Sequence, residues 1–163
     1  MIRKSVLALV FALGTLPALA IEPGLAAPEF TLASARGPVS LTALKGKVIY
    51  LDFWASWCGP CRQSFPWMNE MQAKYAAKGL QIVGVNLDAN RGDADKFLAE
   101  VPAKFTVAFD PQGETPKRYA IKGMPTSVLI GSNGKAIEVH SGFRADERQA
   151  LEEAIASALA AAR

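Results

Sequence analysis

The sequence predicts an α/β domain with a mixed central sheet and helices on both faces. Three observations carry this. Lys47 to Trp54 and Leu80 to Leu87 are continuous apolar, β-branched and aromatic runs, as expected of strands buried on both faces. Between them Phe65, Met68, Met71 and Tyr75 recur at helical spacing. Toward the C-terminus, Asn133-Gly134 joins two alternating runs, Thr126 to Ile130 and Ala136 to His140, the strongest short signal for a hairpin.

The remaining elements follow in order. Ile21 to Thr42 is rich in Pro, Ala and Gly, with short alternating stretches at Phe30-Thr31-Leu32 and Val39-Ser40-Leu41; it reads as an extension carrying a small hairpin laid on the main domain. A helix is expected from about Pro60 to Ala77, with Pro66 inside it as a kink. A short helix spans Asp93 to Val101, with Asp93 as N-cap and Phe97, Leu98 and Val101 as its apolar face. Thr106 to Phe109 is a strand ended by the turn Asp110-Pro111-Gln112-Gly113. Thr115-Pro116 reads as N-cap and first residue of a helix reaching Tyr119. An Ala-rich helix from about Asp146 buries Leu151, Ile155 and Leu159. The order is β-α-β-α-β-α-β-β-α behind a β-rich extension, with no repeat, linker or second domain.

Residues 1–20 read as a secretory signal. Arg3 and Lys4 form the positive start, Val6 to Leu16 a short apolar run broken by Pro17, and Ala18-Leu19-Ala20 a cleavage site. An uncleaved anchor is the alternative, but the run is shorter than the ~20 residues that span a bilayer. The expected organisation is a removed segment, 1–20, and one domain, 21–163. Loss of Arg3 and Lys4 takes the formal net charge from +3 to +1, which gives no reason to expect nucleic acid as a partner. No later stretch is long and apolar enough to be a membrane helix.

The two cysteines, Cys58 and Cys61, both lie in the exported part. One close pair is not a disulfide scaffold, and so small a loop removes little entropy from the unfolded chain. A working redox couple fits better. Trp57-Cys58-Gly59-Pro60-Cys61 follows a buried strand and opens a helix, whose N-terminus carries free N–H groups and partial positive charge. A thiolate there is stabilised, so Cys58 is expected below the usual ~8.5, within ~3.5–7.5. Cys58 attacks, and Cys61, a turn further in, resolves the mixed disulfide. Gly59 permits the tight approach, and Pro60 stiffens the turn without needing a helical N–H. A zinc site would need four ligands, and beyond the cysteines there is only His140, in the last strand. Haem attachment would need histidine where Arg62 stands. Cu(I) binding by two thiolates is the remaining alternative. Asp52, a carboxylate within a buried apolar strand, must be neutralised or paired; proton transfer and an ordinary partner such as a lysine are the two readings of it.

Leu51-Asp52-Phe53-Trp54-Ala55-Ser56-Trp57-Cys58-Gly59-Pro60-Cys61 resembles the active-site segment of thioredoxins. Pro66 matches their helix-kinking proline, and Tyr119-Ala120-Ile121-Lys122-Gly123-Met124-Pro125-Thr126 resembles the segment holding their cis-proline. Ala27-Pro28-Glu29-Phe30-Thr31-Leu32, Gly46-Lys47-Val48 and the stretch inserted between Leu87 and Thr106 are similar to the exported TlpA/ResA-like branch. The resemblance covers essentially all of 21–163 and implies a thioredoxin-like fold. It also implies that Cys58 and Cys61 are the redox pair and that Asp52 moves a proton to and from the resolving thiol. Pro125 would then be cis, the Met124 backbone would pair with a bound substrate chain, and Trp57 would be the aromatic beside the attacking thiol. Many ResA-like reductases carry glutamate three residues after the second cysteine; Ser64 stands there, which argues against a direct transfer of their role in cytochrome c maturation.

The expected protein is a periplasmic, monomeric thiol–disulfide oxidoreductase acting as a reductase on exported substrate proteins. Its electrons would come from a membrane electron-donor protein, and it would need no cofactor beyond the Cys58–Cys61 disulfide and no metal. Cytochrome c maturation or related redox maintenance is the implied setting. The competing classes are a copper-handling thiol protein and a peroxidase; the latter would need a Thr-x-x-Cys site that the sequence lacks. His140 reads as a strand residue on a polar face, Met68 and Met71 as core, and Arg62 and Lys122 as surface charges flanking the cleft.

Overall fold

The computed structural model describes residues 20–162. In chain order these form strands β1 (Thr31–Ser34), β2 (Val39–Ser40) and β3 (Val48–Trp54), helix α1 (Gly59–Tyr75), β4 (Leu80–Asn86), α2 (Arg91–Glu100), β5 (Thr106–Phe109), α3 (Glu114–Arg118), β6 (Thr126–Ile130), β7 (Ala136–Ser141) and α4 (Arg148–Ala161). The element order is the predicted one, hairpin included. The leader read over residues 1–20 lies, apart from Ala20, outside the described residues.

The seven strands make one sheet in the order β2-β1-β5-β4-β3-β6-β7. β3, β4 and β5 run parallel, while β6, β7 and the β1–β2 hairpin pair antiparallel. All seven residues of β3 are buried, Asp52 among them, as a run otherwise apolar requires. Strand alternation sends them to two cores. Val48, Tyr50 and Trp54 join Phe65, Met68 and Met71 of α1, Phe97 of α2 and Leu151, Ile155 and Leu159 of α4. Ile49, Leu51 and Phe53 join Phe30 and Leu41 of the extension and Tyr119 at the end of α3. Asp52 has the parity of Tyr50 and Trp54, so it points to the α1 side of the sheet.

Gly84 of β4 stands opposite Asp52 in register. A Cβ at Gly84 would lie 3.0 Å from Phe105 and 3.2 Å from the Trp54 indole nitrogen. The bare backbone lets these two rings close over the strand, with Trp54 also 4.9 Å from both Phe65 and Phe97 between ring centroids. Gly84→Ala is expected to cost about 1–3 kcal/mol through overpacking. It should lower the urea midpoint at an unchanged m-value; an unaltered midpoint would show that the rings are free to move apart.

Two helix starts differ from expectation. The N-cap of α2 is Asn90, whose side chain accepts from the Gly92 N–H at 2.9 Å, and Asp93 sits in the first turn. α3 begins at Glu114, not after Thr115, because Asp110 reaches across the turn and accepts from the N–H groups of Glu114 (3.3 Å) and Thr115 (2.6 Å). Both real caps precede the expected ones, and Asp110 acts from outside the helix. The other boundaries move by a residue or two, as helix and strand ends do: α1 ends at Tyr75 and passes into a 3-10 turn, and α4 starts at Arg148 after another. Pro66 lies inside α1.

Candidate active site

Strand β3 delivers the chain to the C-terminal edge of the parallel strands, where α/β folds build their sites. The chain turns over Ala55, Ser56 and Trp57, closed by the Cys58 N–H donating to the Ala55 carbonyl at 3.1 Å. Cys58 is then the N-cap of α1, with a proline in the helix's first turn. Its sulfur accepts from the Cys61 N–H at 3.3 Å, so a free N–H of the helix end points at it. Cys58 and Cys61 form a disulfide with their Cα atoms 5.3 Å apart. The two sulfurs are not equivalent: Cys58 is 5% exposed and Cys61 is fully buried. Trp57 stands out at 73% exposure, and Gly59 and Pro60 are also exposed.

The Met124–Pro125 peptide bond is cis. It immediately precedes Thr126, which pairs with Phe53 one residue before the end of β3. The sheet therefore brings Met124 and Pro125 to the same edge as the disulfide. Met124 is half-buried and packs against the core that holds both cysteines.

Beneath this edge lies Asp52, 2% exposed. Its Oδ2 is buried and has no hydrogen-bond partner. Its register neighbours are Gly84 on one side and Ser127 on the other, and among the described residues no cation pairs with it. The lysine-partner reading fails on this point. Burial alone pushes the carboxyl well above its ordinary range.

Further neighbours are settled too. Trp54 is fully buried core, and so are Met68 and Met71. Arg62 pairs with Glu100 at 2.9 Å and lies over the Phe97 ring, and Lys122 is exposed. The buried Ser64 hydroxyl donates to the Cys61 carbonyl at 3.0 Å. His140 is a half-buried strand residue on the α1 side of β7, opposite Ser127, and its Nε2 lies 3.3 Å from Glu147. Among the described residues no three His, Cys, Asp or Glu side chains converge as a metal cluster.

Sequence reasoning missed one group. Asp88, 6% exposed, accepts from the Ser56 N–H and Ser56 hydroxyl, each at 2.9 Å, and from the Asn86 amide at 2.7 Å. The available signal was two polar residues, Asn86 and Asp88, at the C-terminal end of an otherwise apolar strand.

The Redoxin family model matches residues 22–155. The chain belongs to the Redoxin family. This redoxin is 37% identical over 129 residues to thiol-disulfide oxidoreductase ResA of Bacillus cereus (strain ATCC 10987 / NRS 248), covering 78% of the chain and 75% of the relative. It is 32% identical over 123 residues to ResA of Bacillus subtilis (strain 168), covering 75% and 69%. Among solved structures, a Chlorobium tepidum protein provisionally assigned as thiol:disulfide interchange protein DsbE superposes with a TM-score of 0.84 at 62% identity, over 86% of this chain and 99% of that one. The thioredoxin-like fold is thereby established, and so is the enzyme class: this redoxin is a protein-disulfide oxidoreductase, acting on thiol or disulfide substrate proteins.

Proposed function

We propose that the protein is an exported reductase of disulfides in the periplasm, working through Cys58 and Cys61. The observation that carries this reading is a disulfide whose outer sulfur caps a helix N-terminus, while its inner sulfur is sealed on the side of the sheet that holds an uncompensated buried acid. Cys58 thiolate attacks a substrate disulfide sulfur, and one substrate cysteine leaves as thiolate. Cys61 then attacks Cys58, regenerating the disulfide and releasing the second substrate thiolate. Asp52, its carboxyl pushed up by burial, takes the proton from Cys61 as the carboxylate and returns it as the acid. Trp57, Gly59 and Pro60 form one wall for the substrate chain, and the Met124 backbone beside Pro125 offers it a hydrogen-bonding ledge.

The leader is removed after Ala20 and leaves 21–163 as a single monomeric domain, with the disulfide as its only redox group. A membrane protein returns electrons to it, because cytosolic dithiols do not reach the periplasm. General redox maintenance of exported proteins is the better-supported client process. Cytochrome c maturation is second, because Ser64 is buried against the α1 backbone where many ResA-like proteins carry an acid.

A Cys61→Ser variant tests the reading. It is expected to hold exported proteins as mixed disulfides on Cys58 that dithiothreitol releases. The wild-type potential is expected nearer the ~−270 mV of thioredoxin than the ~−120 mV of a dedicated oxidant. Absence of trapped exported proteins would sink substrate exchange, and a potential near the oxidant's would reverse the direction.

A further inference from the structure

Asp88 is a buried carboxylate that the exchange reaction above does not use. We propose that Asp88 is a positioning residue that fixes the loop leading into Cys58 and, through its charge, strengthens the Cys58–Cys61 couple as a reductant. The proposal rests on the reading of Cys58 as the attacking thiol.

The geometry is specific. Both donors of Ser56 are taken by one carboxylate, the N–H by Oδ2 and the hydroxyl by Oδ1, each at 2.9 Å. Oδ2 also accepts from Asn86 Nδ2 at 2.7 Å, and the Asn86 Oδ1 accepts the Asp88 N–H at 3.2 Å. Asn86 is itself 1% exposed. The next residue, Leu87, donates its N–H to the Trp54 carbonyl at 2.9 Å. The ends of β3 and β4 are thus joined by backbone, and Asp88 ties the Ser56 turn to that joint. Three donors on a carboxylate is the bonding pattern of its charged, acceptor-only form.

No described cation pairs with Asp88. Arg62, on the first turns of α1, is committed to Glu100 at 2.9 Å. Ser56 is two residues from Cys58, so their Cα atoms are at most about 7 Å apart. Asp88 and Cys58 are both buried, at 6% and 5% exposure, so the charge acts on the sulfur with less screening by salt than a surface carboxylate would.

The effect on the couple follows from its balance. A dithiol protein and the disulfide give an oxidised partner, a Cys58 thiolate, a Cys61 thiol and one released proton. Two electrons pass to the disulfide, and its S–S bond breaks as the partner's forms. The oxidised site is neutral, and the reduced one carries a negative sulfur. A carboxylate close by therefore raises the free energy of the reduced state alone. The α1 N-terminus, through the Cys61 N–H, pulls the other way. The helix end makes Cys58 reactive, and Asp88 limits how far its thiolate is stabilised, which keeps the couple reducing.

The test measures two quantities on the full protein: the Cys58 thiolate titration by absorbance at 240 nm, and the equilibrium constant against glutathione. Asp88→Asn keeps the shape and removes the charge. It is expected to lower the thiolate pKa by about one unit and to shift the equilibrium about tenfold toward the reduced protein, equivalent to about 30 mV. Asp88→Glu, which restores a carboxylate, is expected to move both quantities back toward wild type. Ser56→Ala loosens the turn but keeps the charge and is expected to leave the thiolate pKa within about 0.3 units. If Asp88→Asn does not fold, Asp88→Ser takes its place. Unchanged titration and equilibrium in a folded neutral variant overturn the proposal, and so does a shift in Ser56→Ala equal to that of the neutral variant. Failure of the underlying reading is distinguished separately, since Cys58→Ser would then retain exchange activity.

Discussion

Cys58→Ser is expected to reduce disulfide exchange to the buffer background, while Cys61→Ser retains the first half of the reaction. A serine hydroxyl is not ionised near neutral pH and does not attack a disulfide sulfur. The remaining cysteine does not substitute, because Cys61 is fully buried behind Cys58 and supplies the N–H that the outer sulfur accepts. The two single variants should therefore differ by several orders of magnitude in the rate of mixed-disulfide formation with a peptide disulfide. Alkylation offers an independent check: in the reduced protein iodoacetamide is expected to label Cys58 well ahead of Cys61, read by mass spectrometry. Equal labelling would mean that reduction opens the first turn of α1, and the assignment of attacker and resolver would fail.

Asp52→Asn is expected to slow exchange and stabilise the fold at once. The carboxyl is pushed above its ordinary 3.8 by burial alone. Between 3.8 and its native value the folded state binds more protons than the unfolded one, so stability falls as pH rises through that window. Above it the native state carries a buried charge that no described cation offsets, at full cost. At pH 8 the amide should therefore raise stability by roughly 2 kcal/mol, about 4–8 °C in Tm for a chain of this size. At pH 3, where the acid is neutral in both states, the gain should vanish. Loss of the proton acceptor should slow resolution by Cys61 by about a hundredfold near neutral pH and remove one limb of the pH–rate profile. A less stable variant at pH 8 would reveal a partner for Asp52; an unchanged profile would remove it from the proton pathway.

Much of this was legible because single residues carried strong physical signals. The largely apolar, β-branched and aromatic runs at β3 and β4 suit strands covered on both faces, and Asn133-Gly134 suits a tight reversal. Asp52 was visible because a charge in such a run demands an explanation. The misplaced caps share one cause. Asp93 and Thr115 are acceptable caps by residue type, but the N-cap positions are Asn90 and Gly113, nearer to where the preceding strand releases the chain, and Asp110 bonds the first N–H groups of α3 from outside the helix. Local preference ranks candidates, and the strand end decides among them. Asp88 was missed for a related reason: its role depends on Ser56, 32 residues away in sequence and brought beside it only by the parallel pairing of β3 with β4. Gly84 was silent because a glycine's importance lies in the rings that close over it.

The placing of the β1–β2 hairpin has a consequence for life among unfolded chains. A protein that binds extended segments risks being joined by them wherever its sheet ends in free N–H and C=O groups. Here β1 covers β5, and the new outermost strand, β2, is only two residues long. At the opposite margin Ala26 bridges Lys135, and the Gly24 N–H donates to the Ala136 carbonyl at 2.8 Å, so the extension also blocks the start of β7. The same N-terminal segment thus covers β5 at one margin and the first residue of β7 at the other, which limits strand addition there and the aggregation that follows from it. In the proposed exchange this leaves the Met124 backbone, beside the disulfide, as the place for a client chain to pair.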